Sequence, residues 1–293
     1  MKFGAIDIGT NATRLLIGEV DFNFTDGLVH KHSYIRIPLR LGVEVFDSGY
    51  ISESKIIEFK KSMQAFKLVA EVFDVKDLRV CATSAMREAK NALEVKNYID
   101  KEVGLNMEII SGHQEADIIF STFSLLNKEE NASYIVIDVG GGSTEISVFE
   151  KGEKINSESF NIGTVRMLKE KVSKQCWLDI KKWLNDNIDV SGEHKVFATG
   201  GNINKAHKLL KGQFMKPTSI KKIRKLRNEL RKLSLNERIN KFNLKPDRAD
   251  TIVPALDIYL FIIKILKTKS ITVPKVGLAD GMIYTMYLNS LNE

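Results

Sequence analysis

Residues 138–145 read Asp-Val-Gly-Gly-Gly-Ser-Thr-Glu and directly follow the apolar run Tyr134-Ile-Val-Ile137. A strand that ends in an acid, three glycines and a second acid either turns a tight corner or is built to approach something charged. The beginning of the chain repeats the pattern. Phe3-Gly-Ala-Ile-Asp7-Ile-Gly9-Thr-Asn-Ala-Thr13-Arg14-Leu-Leu-Ile17 aligns with Tyr134-Ile-Val-Ile-Asp138-Val-Gly140-Gly-Gly-Ser-Thr144-Glu145-Ile-Ser-Val148, with Asp, apolar, Gly and Thr in phase. An internal repeat of this length implies two similar domains facing each other, not a solenoid. A ligand is expected in the cleft between them.

The segments around the repeat fit an α/β plan. Strand-like runs at 3–6, 15–20 and 28–39, separated by turn signals such as Thr25-Asp26-Gly27, predict an antiparallel meander. Between Ser52 and Glu71 the apolar spacing becomes helical, with Ile56, Ile57, Phe59, Met63, Phe66, Val69 and Ala70 on one broad face. A short buried strand at 78–82, a helix over 85–103 and a strand at 107–110 follow. Ser111-Gly-His-Gln114 carries a capping-box signature and opens a helix toward Phe123. The polar loop 127–133 is a plausible seam. After it come strands at 134–139, 145–149 and 154–160, the last two joined by a turn at Lys151-Gly152.

Composition narrows the class. A chain of 293 residues with 43% hydrophobic content can bury a sizeable core. Its two cysteines, Cys81 and Cys176, are far apart and not at metal-ligand spacing, which suits a reducing compartment and a cytoplasmic protein. Asp7 interrupts the N-terminal apolar run, and Pro254, Asp257 and Lys264 interrupt the run 252–266, so neither a signal peptide nor a membrane span is expected. The net charge of +7 is local: residues 205–245 hold 14 Lys/Arg against Glu229 and Glu237 alone. That excess suits an anionic partner, although Ile220, Ile223, Leu226, Leu230 and Leu233 are equally the apolar face of an ordinary solvated helix. Sparse aromatics, Phe214 and Phe242, argue against a nucleic-acid surface.

Glycine turns let backbone N–H groups close on an anion and form a nest. Thr10, Asn11, Ser143 and Thr144 add side-chain donors, and Phe197-Ala-Thr-Gly200-Gly201-Asn202 repeats the theme a third time. Three such turns suit a chain of phosphates. No Walker-type lysine follows them, so none is a P-loop. Each turn taken alone is also compatible with a hairpin that binds nothing.

Asp138 and Glu145 flank the second turn and suit a Mg²⁺ that also takes phosphate oxygens; Asp7 is the equivalent acid in the first. Carboxylates that only bond turn N–H groups are the alternative. Glu115, in the first helical turn after Ser111, is placed to take a proton from water, or merely to complement the helix dipole. Arg87, just past a strand end, is either a phosphate clamp or a surface residue at a helix start. His113 has no partner at metal spacing, and Ser143 has no accompanying His and Asp, so it reads as a phosphate donor and not a nucleophile.

Five segments, spread in order along nearly the whole chain, resemble the exopolyphosphatase / guanosine pentaphosphate phosphohydrolase family of the actin-like ATPase superfamily. They are Asp7-Ile-Gly-Thr-Asn-Ala-Thr-Arg14, Ala82-Thr-Ser-Ala-Met-Arg87, Ile110-Ser-Gly-His-Gln-Glu-Ala116, Asp138-Val-Gly-Gly-Gly-Ser-Thr-Glu145 and Gly277-Leu-Ala-Asp-Gly281. The resemblance implies an α/β fold of two duplicated actin-like (ribonuclease H-like) domains with a cleft between them, 1–125 plus 279–293 and 126–278. It implies Glu115 as base and Arg87 as phosphate clamp. Asp138 and Glu145 would hold Mg²⁺ or Mn²⁺. Asp7, Gly9, Thr10, Asn11, Arg14, Gly140, Gly141, Gly142, Ser143, Gly200 and Gly201 would line the phosphate site.

The implied substrate is inorganic polyphosphate, of shorter chains, or a guanosine penta- or tetraphosphate. Neither nucleic acid nor membrane is implied; a homodimer is a family expectation. A non-catalytic actin-like nucleotide-binding module is the remaining alternative. The sequence departs from the family at Gln114-Glu115, where two adjacent acids are common, and at Ala12, where a serine is usual.

Overall fold

The computed structural model describes residues 1–22, 29–126, 133–151, 153–189 and 194–291. The turn signal at 25–27, most of the polar loop at 127–133 and Gly152 lie outside the described residues. The chain divides into two compact units, Met1–Lys128 with Val276–Glu293, and Glu129–Lys275.

The first unit is built on β1 (Phe3–Ile8), a strand with every residue buried, as befits the middle of a sheet covered on both faces. It pairs antiparallel with β2 (Thr13–Val20), which pairs antiparallel with the edge strand β3 (Val29–Ile37). On the other side β4 (Asp77–Ala82) and β5 (Met107–Ile109) run parallel, giving the order β3-β2-β1-β4-β5. The helices are α1 (Leu41–Ser48), α2 (Glu53–Val72), α3 (Ser84–Glu88), α4 (Ala92–Val103) and α5 (Gly112–Leu126). The chain's last helix, Leu278–Ser290 and thirteenth in order (α13), belongs here and packs on α5, β1 and β2. Gly281 makes that packing possible, because a Cβ there would stand 1.9 Å from the Ile118 carbonyl oxygen.

Two helical expectations are corrected. The single helix over 85–103 is two, because residues 90 and 91 bond to a distant loop. Lys90 N–H donates to Gly49 O (2.8 Å), and the Asn91 amide both accepts from Ile51 N–H (3.1 Å) and donates to Ile51 O (2.9 Å). Those tertiary bonds replace the helical ladder. On α2 the buried stripe runs Phe59, Met63, Phe66, Ala70, and Ile57 is exposed, since a 3.6-residue period carries the stripe past it.

The second unit repeats the sheet. Strands β6 (Tyr134–Val139), β7 (Thr144–Glu150) and β8 (Glu153–Phe160) form the antiparallel meander, and β9 (Lys195–Thr199) runs parallel to β6, in the order β8-β7-β6-β9. Thr272 bridges Phe197 in parallel, in the position β5 takes beside β4. Helices α6 (Thr164–Leu168), α7 (Lys174–Asn187), α8 (Gly201–Leu209), α9 (Ile220–Lys232), α10 (Leu235–Phe242), α11 (Pro246–Ala249) and α12 (Ile252–Ile265) complete it, with the short pair β10 (Thr218–Ser219) and β11 (Ser270–Ile271). The most apolar of these, α12, is buried around most of its circumference and forms the centre of the unit's core. Among the described residues no helix is long and apolar enough to cross a membrane.

Candidate functional site

The turn after β6 owes its shape to backbone bonds on one side. Gly140 N–H donates to Ser143 O (3.0 Å) and closes the loop. The carbonyls of Gly140 and Gly141 accept from Thr164 N–H (3.1 Å) and Val165 N–H (2.8 Å) at the start of α6, and Gly142 O accepts from Arg166 Nε (2.7 Å). In a trans peptide the N–H points opposite to the C=O of the same plane. The N–H groups of Gly141, Gly142 and Ser143 are therefore directed away from α6, the arrangement of an anion nest. Gly163 is indispensable to it: a Cβ there would lie 2.5 Å from backbone atoms of Gly141 and Gly142.

The turn after β1 is built the same way. Gly9 N–H donates to Ala12 O (3.2 Å), and the carbonyls of Thr10 and Asn11 accept from Gly42 N–H (3.0 Å) and Arg40 N–H (3.2 Å) at the start of α1. By the same peptide geometry the N–H groups of Asn11 and Ala12 point away from α1. Gly42 takes the role of Gly163, its missing Cβ leaving room for Thr10 Cγ2 (2.2 Å).

Side chains distinguish the turns. Asp138 and Glu145 are direct cross-strand partners in the β6–β7 ladder, so they share a face with Cβ atoms about 5 Å apart. Ser159 on β8 stands opposite Glu145 and donates to it (2.8 Å), and Thr199 on β9 stands beside Asp138. The Thr199 hydroxyl is fully buried with no hydrogen-bond partner among the described residues. Gly200 closes the row: its φ of +109° suits glycine, and a Cβ would meet Asp138 Oδ1 at 2.9 Å.

Beneath lies the Tyr259 hydroxyl, which accepts from Val139 N–H (3.2 Å) and donates to Thr199 O, tying β6 to β9. Burial, together with the charges of Asp138 and Glu145, pushes that phenol well above its ordinary value. Two carboxylates and two hydroxyls form an all-oxygen set of the kind Mg²⁺ and Mn²⁺ prefer. The unpartnered Thr199 hydroxyl beside two like charges fits a cation with its waters.

In the first unit the corresponding partners are Asp7 and Arg14, joined in a close ion pair. Cys81 takes the place of Thr199, and burial pushes its thiol up to about 12, which leaves it unreactive. Arg87, in α3, donates through Nη1 to Ile110 O (2.8 Å) and to Glu115 Oε2 (3.1 Å). Ser111 and Gln114 make the reciprocal capping bonds (3.2 and 2.8 Å) that fix the start of α5 and hence Glu115. The two residues read from sequence as base and clamp are thus brought together.

Gly201 begins α8, and its carbonyl accepts from the Arg248 guanidinium. The basic stretch is partly structural. Helix α9 buries Ile220, Ile223, Leu226 and Leu230; Arg231 pairs with Asp257 (2.6 Å), Lys241 with Glu229 (2.8 Å), and Arg238 bonds Leu230 O and Ala249 O. Sequence reading missed Gly42, Gly163, Arg166 and Tyr259. Isolated glycines after the two repeated turns were the available signal for the first two.

Solved structures with this fold include the Ppx/GppA family member of Aquifex aeolicus (TM-score 0.78, 22% identical, covering 99% of this chain and 98% of that one). An exopolyphosphatase from Cytophaga hutchinsonii is similar over the same shares (TM-score 0.83, 23% identical). The fold is the actin-like one. Among curated proteins, exopolyphosphatase 2 of Mycobacterium tuberculosis is 32% identical over 173 residues, 57% of this chain and 53% of that protein. A bifunctional 3-dehydroquinate synthase/phosphatase of Fusobacterium nucleatum is 27% identical over 196 residues, 63% of this chain and 30% of that protein. The matches thus span about half or less of these curated relatives. The sequence model of the Ppx/GppA phosphatase family matches residues 25–290, nearly the whole chain, and to that family the chain belongs.

Proposed function

We propose that the chain is a phosphoanhydride hydrolase that releases terminal phosphate from inorganic polyphosphate by in-line attack of water. The observation that carries this reading is the cross-strand pair Asp138–Glu145 at the foot of a glycine turn with outward N–H groups. Like charges directly opposite in a ladder are destabilising, and a divalent cation offsets that cost. When bound there, Mg²⁺ or Mn²⁺ would supply Lewis-acid neutralisation of phosphate oxygens.

The chain's own groups do the remaining work. The outward N–H groups of Gly141, Gly142 and Ser143, and likewise those of Asn11 and Ala12, are donors for phosphate oxygens, and such preorganised dipoles cost nothing to reorient as charge shifts. Glu115 accepts the proton of the attacking water. The adjacent Arg87 guanidinium, bonded to Glu115 Oε2 (3.1 Å), presents further donors to phosphate. The choice of polyphosphate over a guanosine polyphosphate is supported by relatives that carry the name exopolyphosphatase.

Phosphate release from polyphosphate, pppGpp and ATP, with and without Mg²⁺, tests the reading. Mg²⁺-dependent release from polyphosphate is expected, and Glu115→Gln should lower turnover by about 10²–10⁴-fold with binding retained. Preferential release from pppGpp would transfer the reading to guanosine polyphosphates. Tight ATP binding with no release from any substrate would make the chain a nucleotide-binding module.

A further inference from the structure

We propose a second metal site, for a zinc-type divalent cation, formed by Glu19, His30 and His32 on the β2–β3 edge of the first unit. It lies on residues to which the hydrolase reading gives no role. Glu19 and His30 are direct cross-strand partners. The ladder then shifts register between Ile17 and Gly18: Ser33 pairs with Ile17 and Lys31 with Gly18, leaving His32 as the extra residue of a β-bulge. The two rings stand edge to face with centroids 4.8 Å apart, and His32 Nε2 lies 3.1 Å from Glu19 Oε1. One ligand atom from each of the three residues lies within 4.8 Å of the others.

The bulge depends on Gly18, whose missing Cβ would stand 2.8 Å from the His30 carbonyl oxygen and 2.7 Å from Val29 Cγ1. A glycine that allows the strands to close on a His-x-His segment is a local device for bringing these three side chains together.

Donor chemistry decides which cation fits. Two imidazoles and a carboxylate match the His₂Glu set of zinc sites, which leave a fourth position for water. Hard Mg²⁺ disfavours nitrogen donors and belongs with the all-oxygen row at Asp138 and Glu145. Zinc bonds of about 2.0–2.2 Å in a tetrahedron place ligand atoms about 3.3 Å apart, so rotations that move each side chain on the order of 1 Å complete the site. Two cations lie close by. The Met1 amino group is 3.5 Å from Glu19 Oε2, and Lys31 is taken up by Asp280 (2.7 Å). A bound ion would clip edge strand β3 to β2.

Calorimetric titration of metal-stripped protein with Zn²⁺ tests the proposal. One Zn²⁺ should bind per chain, undisplaced by millimolar Mg²⁺, and should raise the Tm. His30→Gln with His32→Gln should weaken that binding by about 100-fold or more, since loss of an outer-shell partner alone costs 10–100-fold. The double variant should match wild type in Tm under chelator and show no Zn²⁺-induced rise. Glu145→Gln should retain the site, which separates it from the carboxylate row. Co²⁺ substituted into wild type should give the absorption of a tetrahedral nitrogen-ligated ion, a readout independent of any variant. Zn²⁺ binding unchanged in the histidine variant, binding lost in Glu145→Gln, or absence of the Co²⁺ bands would overturn the proposal.

Discussion

At the end of β1, Asp7 faces Arg14; at the end of β6, Asp138 faces Glu145. The backbones around these pairs are closed by the same hydrogen bond and tethered to a following helix in the same way. The sheets beneath have the same pairing directions. Only the residue seven positions after the aspartate changes sign. A duplicated scaffold has therefore been kept for its outward N–H groups while its electrostatics has diverged. One turn sets its acid against a base, and the other sets two acids opposite each other.

The largest effect expected from this contrast is on turnover. Asp138→Asn or Glu145→Gln should cut Mg²⁺-dependent phosphate release by about 100-fold or more, because the cation loses half its carboxylate set. Asp7→Asn removes a residue already neutralised by Arg14, and its loss should be at least about tenfold smaller. Steady-state phosphate release across a Mg²⁺ series measures both. Equal losses in the two turns would break the comparison.

Stability separates the turns next. Gly163→Ala drives a methyl into the backbone of Gly141 and Gly142 at 2.5 Å, where the turn is already bonded to the start of α6, and should cost about 3 kcal/mol in urea denaturation. Gly42→Ala meets a side-chain methyl instead, Thr10 Cγ2 at 2.2 Å. Thr10→Ser removes that methyl and keeps the hydroxyl, so it should recover most of the Gly42→Ala loss, while no side-chain change rescues Gly163→Ala. A double-mutant cycle at 10 and 42 with no coupling would show that the two helix approaches are not equivalent.

Much of this organisation was legible in the sequence, for a physical reason. Asp138 and Glu145 lie seven residues apart around a four-residue turn, and a hairpin register follows from turn length, so their opposition could be read before any coordinates. Ser111 and Gln114 likewise announced the helix start that positions Glu115. What escaped was set by contacts between distant segments. The break before α4 is made by Asn91 bonding Ile51, and no local signal at 89–91 carries it. Nothing beside Gly42 or Gly163 in the sequence says why glycine is needed, since the groups they must admit lie 21–32 residues upstream.

A smaller effect, with opposite signs in the two turns, should appear when one acid is neutralised in metal-free protein. Asp7→Asn leaves the Arg14 charge without its carboxylate in a mostly buried setting and should destabilise by about 2 kcal/mol. Asp138→Asn removes like-charge repulsion from Glu145 and should be neutral or stabilising by up to about 1 kcal/mol. Adding Mg²⁺ should raise the Tm of wild type and of Asp7→Asn but not of Asp138→Asn. A destabilised Asp138→Asn in chelator would mean that the carboxylate is held by the protein itself.

The smallest effect concerns Tyr259, whose phenol holds Val139 N–H and Thr199 O beneath the second turn. Tyr259→Phe should cost about 1–2 kcal/mol at neutral pH, since it leaves a buried donor and acceptor unpaired. The alkaline limb supplies the sign. A tyrosine in the unfolded chain releases its proton near pH 10, while the buried phenol, raised by burial and by Asp138 and Glu145, holds it. Its contribution is intact below about pH 10 and declines above that, by about 1.4 kcal/mol per pH unit, as only the unfolded state ionises. The stability gap between wild type and Tyr259→Phe should therefore narrow as pH rises past about 10. Tyr134 and Cys81, both pushed up to about 12 by burial, titrate alike in both proteins and cancel in the difference. A gap that stays constant to about pH 11 would mean that the phenol ionises as readily folded as unfolded, against the burial and the two acids that hold its proton.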